Sequence, residues 1–122
     1  MIHWNNGLWD LGDDYQIGRP FSLPEEYESA LERTVIVLNK LFPEAKIIMA
    51  TTMPTSNPDS TGIEEYNEIL KNVAKRHGIE VNDLFPISKK NPQLIGEDHI
   101  HMTEEGYDIV SDQVVAVLEK YL

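Results

Sequence analysis

Lys46-Ile47-Ile48-Met49-Ala50-Thr51-Thr52 decides how this chain folds. Its middle is continuously apolar. A strand with one wet face alternates apolar and polar residues, whereas an unbroken run suits a strand buried on both faces, as in a parallel sheet covered by helices. The flanks supply the helices. Ser22-Leu23-Pro24-Glu25 reads as a capping box with proline in the first turn. Tyr27, Leu31, Val35, Leu38 and Leu41 follow at helical spacing, and Pro43 stops the run. Thr52 to Ser60 is a loop rich in Pro, Ser, Thr and Asn. Thr61-Gly62-Ile63-Glu64 repeats the capping pattern. Tyr66, Ile69 or Leu70, and Val73 form a buried stripe, and Gly78 sits where a helix C-terminus favours a left-handed residue.

Two further short strands are expected at Ile2-His3-Trp4 and Ile79-Glu80-Val81. Asn5-Asn6-Gly7 turns the chain out of the first. Trp9 to Phe21 and Asp83 to Glu97 read as loops. Thr103 caps a last helix, with Glu104 and Glu105 at the favourable end of its dipole. Tyr107, Val110, Val114, Leu118 and Tyr121 would be its inner face. Strand, helix, strand, helix, strand, helix predicts an α/β domain, a parallel sheet with helices on its faces. Sites in such sheets form at the carboxyl ends of the strands. Asn5, the Thr51-Thr52 turn and the Asp98-His101 loop all fall on that rim.

Length and composition bound the rest. The 122 residues fit one domain, 1–122. Ten basic residues against 21 acidic give a net charge of −11. Nucleic acid and anionic membrane both demand a basic face, so neither is expected as a partner. With no cysteine, disulfides and thiolate metal sites are excluded. No apolar run approaches the ~20 residues of a membrane span. Met1-Ile2-His3-Trp4-Asn5 lacks the basic start and long apolar stretch of a signal peptide. A cytoplasmic location is the expectation.

Asp98-His99-Ile100-His101-Met102-Thr103 carries the chemistry. An aspartate three residues before a histidine can fix one imidazole nitrogen and leave the other as a base. The plainer reading is a loop aspartate beside a solvated histidine. His99 and His101 also form H-x-H, a possible metal pair with Asp98, although zinc needs at least a third protein ligand. His99 alone reads as a solvated loop residue. A side-chain amide at a strand terminus, as at Asn5, can donate to an oxyanion. Asn5-Asn6-Gly7 can equally be a plain turn. Trp4 and Trp9 read as core or pocket wall. No cofactor is implied.

Three ordered blocks give these residues a family likeness. Asp98-His99-Ile100-His101-Met102-Thr103-Glu104-Glu105-Gly106-Tyr107 resembles the last block of the SGNH (GDSL-type) hydrolases, an Asp-x-x-His followed by a helix start. Ile2-His3-Trp4-Asn5-Asn6-Gly7-Leu8-Trp9-Asp10 is similar to one branch's oxyanion block, and Ile48-Met49-Ala50-Thr51-Thr52-Met53-Pro54 to that branch after its fourth strand. The resemblance implies a three-layer α/β/α, flavodoxin-like sheet, truncated to about three strands and three main helices. It implies His101 as base, Asp98 as its orienting acid and Asn5 as oxyanion donor. Asn6, Trp9 and Thr52 would line a site for a small-molecule ester, acyl or acetyl, carbohydrate esters among them. No resident metal is implied.

One block is missing. The family's serine sits in a G-D-S sequence upstream of the asparagine block, and only four residues precede Asn5 here. Ser22, Ser29, Ser56, Ser60, Ser88 and Ser111 are not in G-D-S. Ser56 alone lies in a loop near the proposed rim. The expectation is an esterase-like domain without activity as this isolated chain. The alternatives are a non-catalytic interaction module or degenerate fragment, and a small metal-binding domain using His99 and His101. In the resembled fold, loss of the first strands leaves Ile2-His3-Trp4 as an open sheet edge. That predicts a homodimer through the N-terminal strand.

Overall fold

The computed structural model describes residues 1–14, 19–56 and 62–122. In chain order the elements are β1 (Ile2–Asn5), β2 (Asp13–Asp14), β3 (Arg19–Pro20), α1 (Pro24–Leu41), β4 (Ile47–Ala50) and α2 (Ile63–Arg76). They continue with β5 (Glu80–Asn82), α3 (Phe85–Lys90), a 3-10 turn (Pro92–Leu94), α4 (Glu104–Leu118) and a closing 3-10 turn (Glu119–Tyr121).

β4 is the centre of a three-stranded parallel sheet ordered β1-β4-β5. All four of its residues are buried, as its unbroken apolar run predicts. The register sets His3, Ile48 and Glu80 side by side, then Trp4, Met49 and Val81, then Asn5, Ala50 and Asn82. Side chains alternate across a sheet. Trp4, Met49 and Val81 therefore share one face, where α1 and α2 close the main core with Tyr27, Leu31, Val35, Tyr66, Leu70 and Val73. The Tyr27 and Tyr66 rings lie 4.8 Å apart at its centre. Arg76 of α2 pairs with Glu28 and Glu32 of α1 at 2.6 Å each, outside that core.

His3 and Asn82 point to the opposite face, towards α4. Gln113 of α4 donates to Asn82 Oδ1 (2.8 Å) and to the Asp83 carbonyl (2.9 Å), while Asn82 Nδ2 lies 3.1 Å from His3 Nε2. Helices thus cover both faces, and the fold is the expected three-layer α/β/α arrangement.

Several local expectations change. The α1 cap is Leu23, not Ser22. Glu26 accepts the Leu23 amide at 2.8 Å, and the Ser22 hydroxyl donates instead to Asp10 at 2.9 Å. The third strand runs one residue later than Ile79–Val81. The Trp9–Phe21 segment contains the β2-β3 antiparallel pair, and Asp83–Glu97 contains α3 and a 3-10 turn. The expected cap at Thr61 lies outside the described residues. Leu41 is exposed, as are Tyr107 and Tyr121 of the predicted inner face of α4; that helix packs through Gly106, Val110, Gln113 and Val114. Among the described residues, no helix is long and apolar enough to cross a membrane.

Candidate active site

Asp98 and His101 meet. Asp98 Oδ2 lies 2.5 Å from His101 Nδ1, and Asp98 Oδ1 accepts the backbone amides of Ile100 (3.0 Å) and His101 (2.9 Å). The carboxylate thus takes three donors from its own loop. The His101 ring bond and then the two amides hold its pKa well below the ordinary carboxylate range. Both side chains are more than half exposed. With Nδ1 donating to the carboxylate, the neutral ring keeps its lone pair on Nε2, the arrangement a general base needs.

The local sequence explains why the loop holds this shape. Ile95 and Met102 form an antiparallel bridge, Gly96 N donates to His101 O (2.6 Å), and Thr103 N donates to Leu94 O (2.8 Å). Thr103 then caps α4, its hydroxyl accepting the Gly106 amide at 3.1 Å. Gly106 is buried beneath. A Cβ there would stand 2.9 Å from Leu94 O and 2.9 Å from Met102 Cε. The glycine lets the helix start press against the base of the histidine loop.

His99 is the exposed loop residue the sequence suggests, but it has partners. It is the one described non-glycine residue with positive φ, at 65°. Its Nδ1 lies 2.8 Å from Ser56 Oγ, and its carbonyl accepts the Ser56 amide at 3.0 Å. These two bonds clasp the loop after β4 to the histidine loop. Nothing in the local sequence signals this partnership, because 43 residues separate its members.

The asparagine block is tied to the same segment. Asn5 Nδ2 donates to Ala50 O (3.2 Å) and Thr51 O (3.1 Å), so its amide lies on the end of β4. Thr52 is buried. Its hydroxyl donates to Asn6 O (3.0 Å), and its backbone exchanges two 2.8 Å bonds with the Asn67 amide. Gly7 makes room for this crossing, since a Cβ there would stand 2.6 Å from Thr52 Oγ1. Asn6 Oδ1 is buried without a hydrogen-bond partner among the described atoms. Trp9 is 84% exposed, a surface wall rather than core. The Thr51–Ser56 segment thus touches Asn5 and Asn6 at one end and His99 at the other.

The sequence profile of the GDSL-like lipase/acylhydrolase family matches residues 6–109. The chain belongs to that family. It is an SGNH-type member in fold as well as in sequence. The acetylxylan esterase Axe2 of Geobacillus stearothermophilus superposes with a TM-score of 0.73 at 18% identity, over 93% of this chain and 57% of Axe2. LAE5, an alpha/beta hydrolase enzyme from the metagenome of Lake Arreo in Spain, gives 0.71 at 19%, over 93% and 57%. The esterase domain of the zebrafish ZfL2-1 retrotransposon ORF1 protein gives 0.73 at 19%, over 80% and 60%. The chain therefore spans less than two thirds of each of these structures. No curated protein matches it.

Among the described residues, no group of three or more His, Cys, Asp and Glu side chains is placed to hold a metal ion. His99 Nδ1 faces Ser56 and His101 Nδ1 faces Asp98, so the H-x-H pair does not converge through those nitrogens. A groove of about 420 Å³ opens between Pro54, Ile63, Phe85 and Lys89. It does not reach Asp98 or His101.

Proposed function

We propose that this chain supplies the acid–base half of an SGNH-type ester hydrolase site, with His101 as general base and Asp98 as the residue that orients it. The observation that carries this reading is the Asp98–His101 bond, which leaves Nε2 outward. In ester hydrolysis the base takes the proton of an attacking hydroxyl as its oxygen bonds to the acyl carbon. The imidazolium returns that proton to the departing alcohol, and a water repeats the cycle on the acyl-enzyme. Asp98, held ionised by three hydrogen bonds, stabilises the imidazolium between those steps.

Asn5 is the proposed oxyanion donor. It must turn its amide away from Ala50 and Thr51 to serve, so the acceptors it leaves set its readiness. Asn6 and Trp9 flank the substrate, and Thr52 acts by holding the Asn6 segment in place. The substrate class is a small acyl ester, acetylated carbohydrate included. The likeness to an acetylxylan esterase supports that last choice. No serine of this chain stands in G-D-S. Loss of a triad nucleophile removes about 10⁶ of the rate, so the chain alone is inactive.

The test joins the amino-terminal, serine-bearing segment of Axe2 ahead of Met1 and measures hydrolysis of an acetate ester. The expected result is turnover that falls about 10⁴-fold in Asp98→Asn, with a larger loss in His101→Ala. Turnover indifferent to His101 would overturn the assignment.

A further inference from the structure

Two kinds of bond hold the loop that carries His101. Those within it fix its shape. Gly96 N donates to His101 O at 2.6 Å, His99 N donates to Gly96 O at 3.0 Å, and Asp98 Oδ1 accepts the Ile100 and His101 amides. Such bonds travel with the loop and leave open where its tip stands. Leu94, Thr103 and Gly106 anchor only its base. Among the described residues, the hydrogen bonds that tie residues 96–101 to the rest of the molecule both run to Ser56. Its amide donates to His99 O at 3.0 Å, and its hydroxyl lies 2.8 Å from His99 Nδ1.

Ser56 ends a segment whose start is rigid. Thr51 O accepts Asn5 Nδ2 at 3.1 Å, and Thr52 is locked to α2 by its two 2.8 Å bonds with Asn67, which is 3% exposed. One short stretch thus bears on the proposed oxyanion donor at one end and on the tip of the histidine loop at the other. A base and an oxyanion donor must meet the same acyl carbon, so their separation has to be held. His99 is two residues before His101, and its φ of 65° is a conformation that a non-glycine residue keeps only where its surroundings dictate it. Ser56 and His99 are both exposed. A neutral hydrogen bond there replaces bonds to water and adds little net stability. Its consequence is placement.

We propose that Ser56 is a positioning residue for the general base: through His99 it fixes the tip of the 96–101 loop, and with it where His101 Nε2 stands relative to Asn5. The inference rests on the reading of His101 as that base. Ser56 takes no part in the covalent steps. It restricts the loop to the pose from which Nε2 can take the proton of an attacking hydroxyl. A hydroxyl both donates and accepts, so the bond to Nδ1 forms with either tautomer of the His99 ring and with the protonated ring. The clasp therefore holds whatever the charge on His99. Because it places the base and not the ester, its loss lowers kcat and leaves KM alone.

Ser56→Ala tests this in two settings. In the chain itself it should leave the melting temperature and the Nδ1–H tautomer of His101 unchanged, because the Asp98 bond lies within the loop. NMR relaxation dispersion should show new microsecond-to-millisecond exchange confined to residues 97–101 and their Ser56 neighbour. Unchanged relaxation there would overturn the proposal, whatever the activity. In the esterase formed by joining the Axe2 amino-terminal segment ahead of Met1, Ser56→Ala should lower kcat about 10–100-fold, with KM and the pH profile unmoved. Ser56→Thr should restore it, and in a His99→Gly background Ser56→Ala should have no further effect. If Ser56→Ala keeps full kcat while His101→Ala loses it, the positioning role fails and the base stands. If His101→Ala keeps full turnover, the base assignment fails and this inference with it. A loss that Ser56→Thr leaves unrepaired, or that adds to the loss in His99→Gly, would also overturn it.

Discussion

Asp98 grips His101 twice, by the ring through Oδ2 and by the backbone amide through Oδ1. One carboxylate thus sets both where the histidine sits and which nitrogen carries the proton. Nitrogen-detected NMR of the neutral ring should find the Nδ1–H tautomer at His101. In Asp98→Asn the tautomers should mix and the Ile100 and His101 amides should exchange faster. The folded-state pKa of Asp98 is depressed, so the contribution of this ring of bonds is full above the ordinary carboxylate range. It is lost only as pH falls through the lower folded value. The loop should therefore keep its amide protection at a pH where ordinary aspartates are already protonated. Loss of protection near the ordinary aspartate pKa would contradict this.

The clasp between Ser56 and His99 makes a second expectation. A non-glycine residue at positive φ costs on the order of 1 kcal/mol. His99→Gly relieves that strain and removes the Ser56 ring contact, so stability should change little. His99→Val combines strain with a lost contact and should destabilise by about 1–3 kcal/mol. Urea titration of the pair checks the contrast.

Gly7, Gly106 and Gly78 separate crowding from backbone strain. Gly7 has φ 134° and its added Cβ would meet Thr52 and Tyr27. Gly106→Ala would push on Leu94 and Met102 under the histidine loop. Each should cost about 1–3 kcal/mol. Gly78 also has positive φ, 64°, but nothing lies within 4 Å of the added carbon. Gly78→Ala should cost only about 1 kcal/mol. Equal losses at all three sites would remove close packing as the reason for Gly7 and Gly106.

His3 links pH to the sheet. The Asp83 carbonyl can only accept, so Gln113 must present its NH₂ there and to Asn82 Oδ1. Asn82 then turns its own NH₂ to His3 Nε2, which must accept and so be unprotonated. Burial lowers the His3 pKa in the same direction. The unfolded chain binds a proton more readily than the folded one, so stability should fall as pH drops from neutral through the ordinary histidine range, levelling out below the folded pKa. Thermal melts between about pH 7.5 and 5 should slope this way, and less so in His3→Gln. A wild-type slope no larger than that of His3→Gln would remove the argument.

Much of the fold was legible because its determinants are local. The unbroken Ile47–Ala50 run announced a strand covered on both sides, and Thr103 with two following glutamates announced α4. The differences come from choices that neighbours make. Glu25 and Glu26 offer alternative capping registers, and Glu26, which also binds Arg19 at 3.0 Å, selects Leu23. Two prolines made 83–97 read as a loop, yet Pro86 and Pro92 occupy first-turn positions where a missing amide costs nothing. In the site, the Asp98–His101 spacing was readable within four residues. The Ser56–His99 clasp and the Asn5 bonds to β4 span more than forty, and no periodicity or motif reports them.

His101, the proposed base, stands in a chain in which no serine lies in G-D-S. The most direct measurement is treatment with a fluorophosphonate, read by intact mass, beside turnover of an activated acetate ester. No serine should be labelled, Ser56 included, and turnover should match that of His101→Ala. A stoichiometric adduct on Ser56 or any other serine, or hydrolysis well above the His101→Ala level, would contradict it.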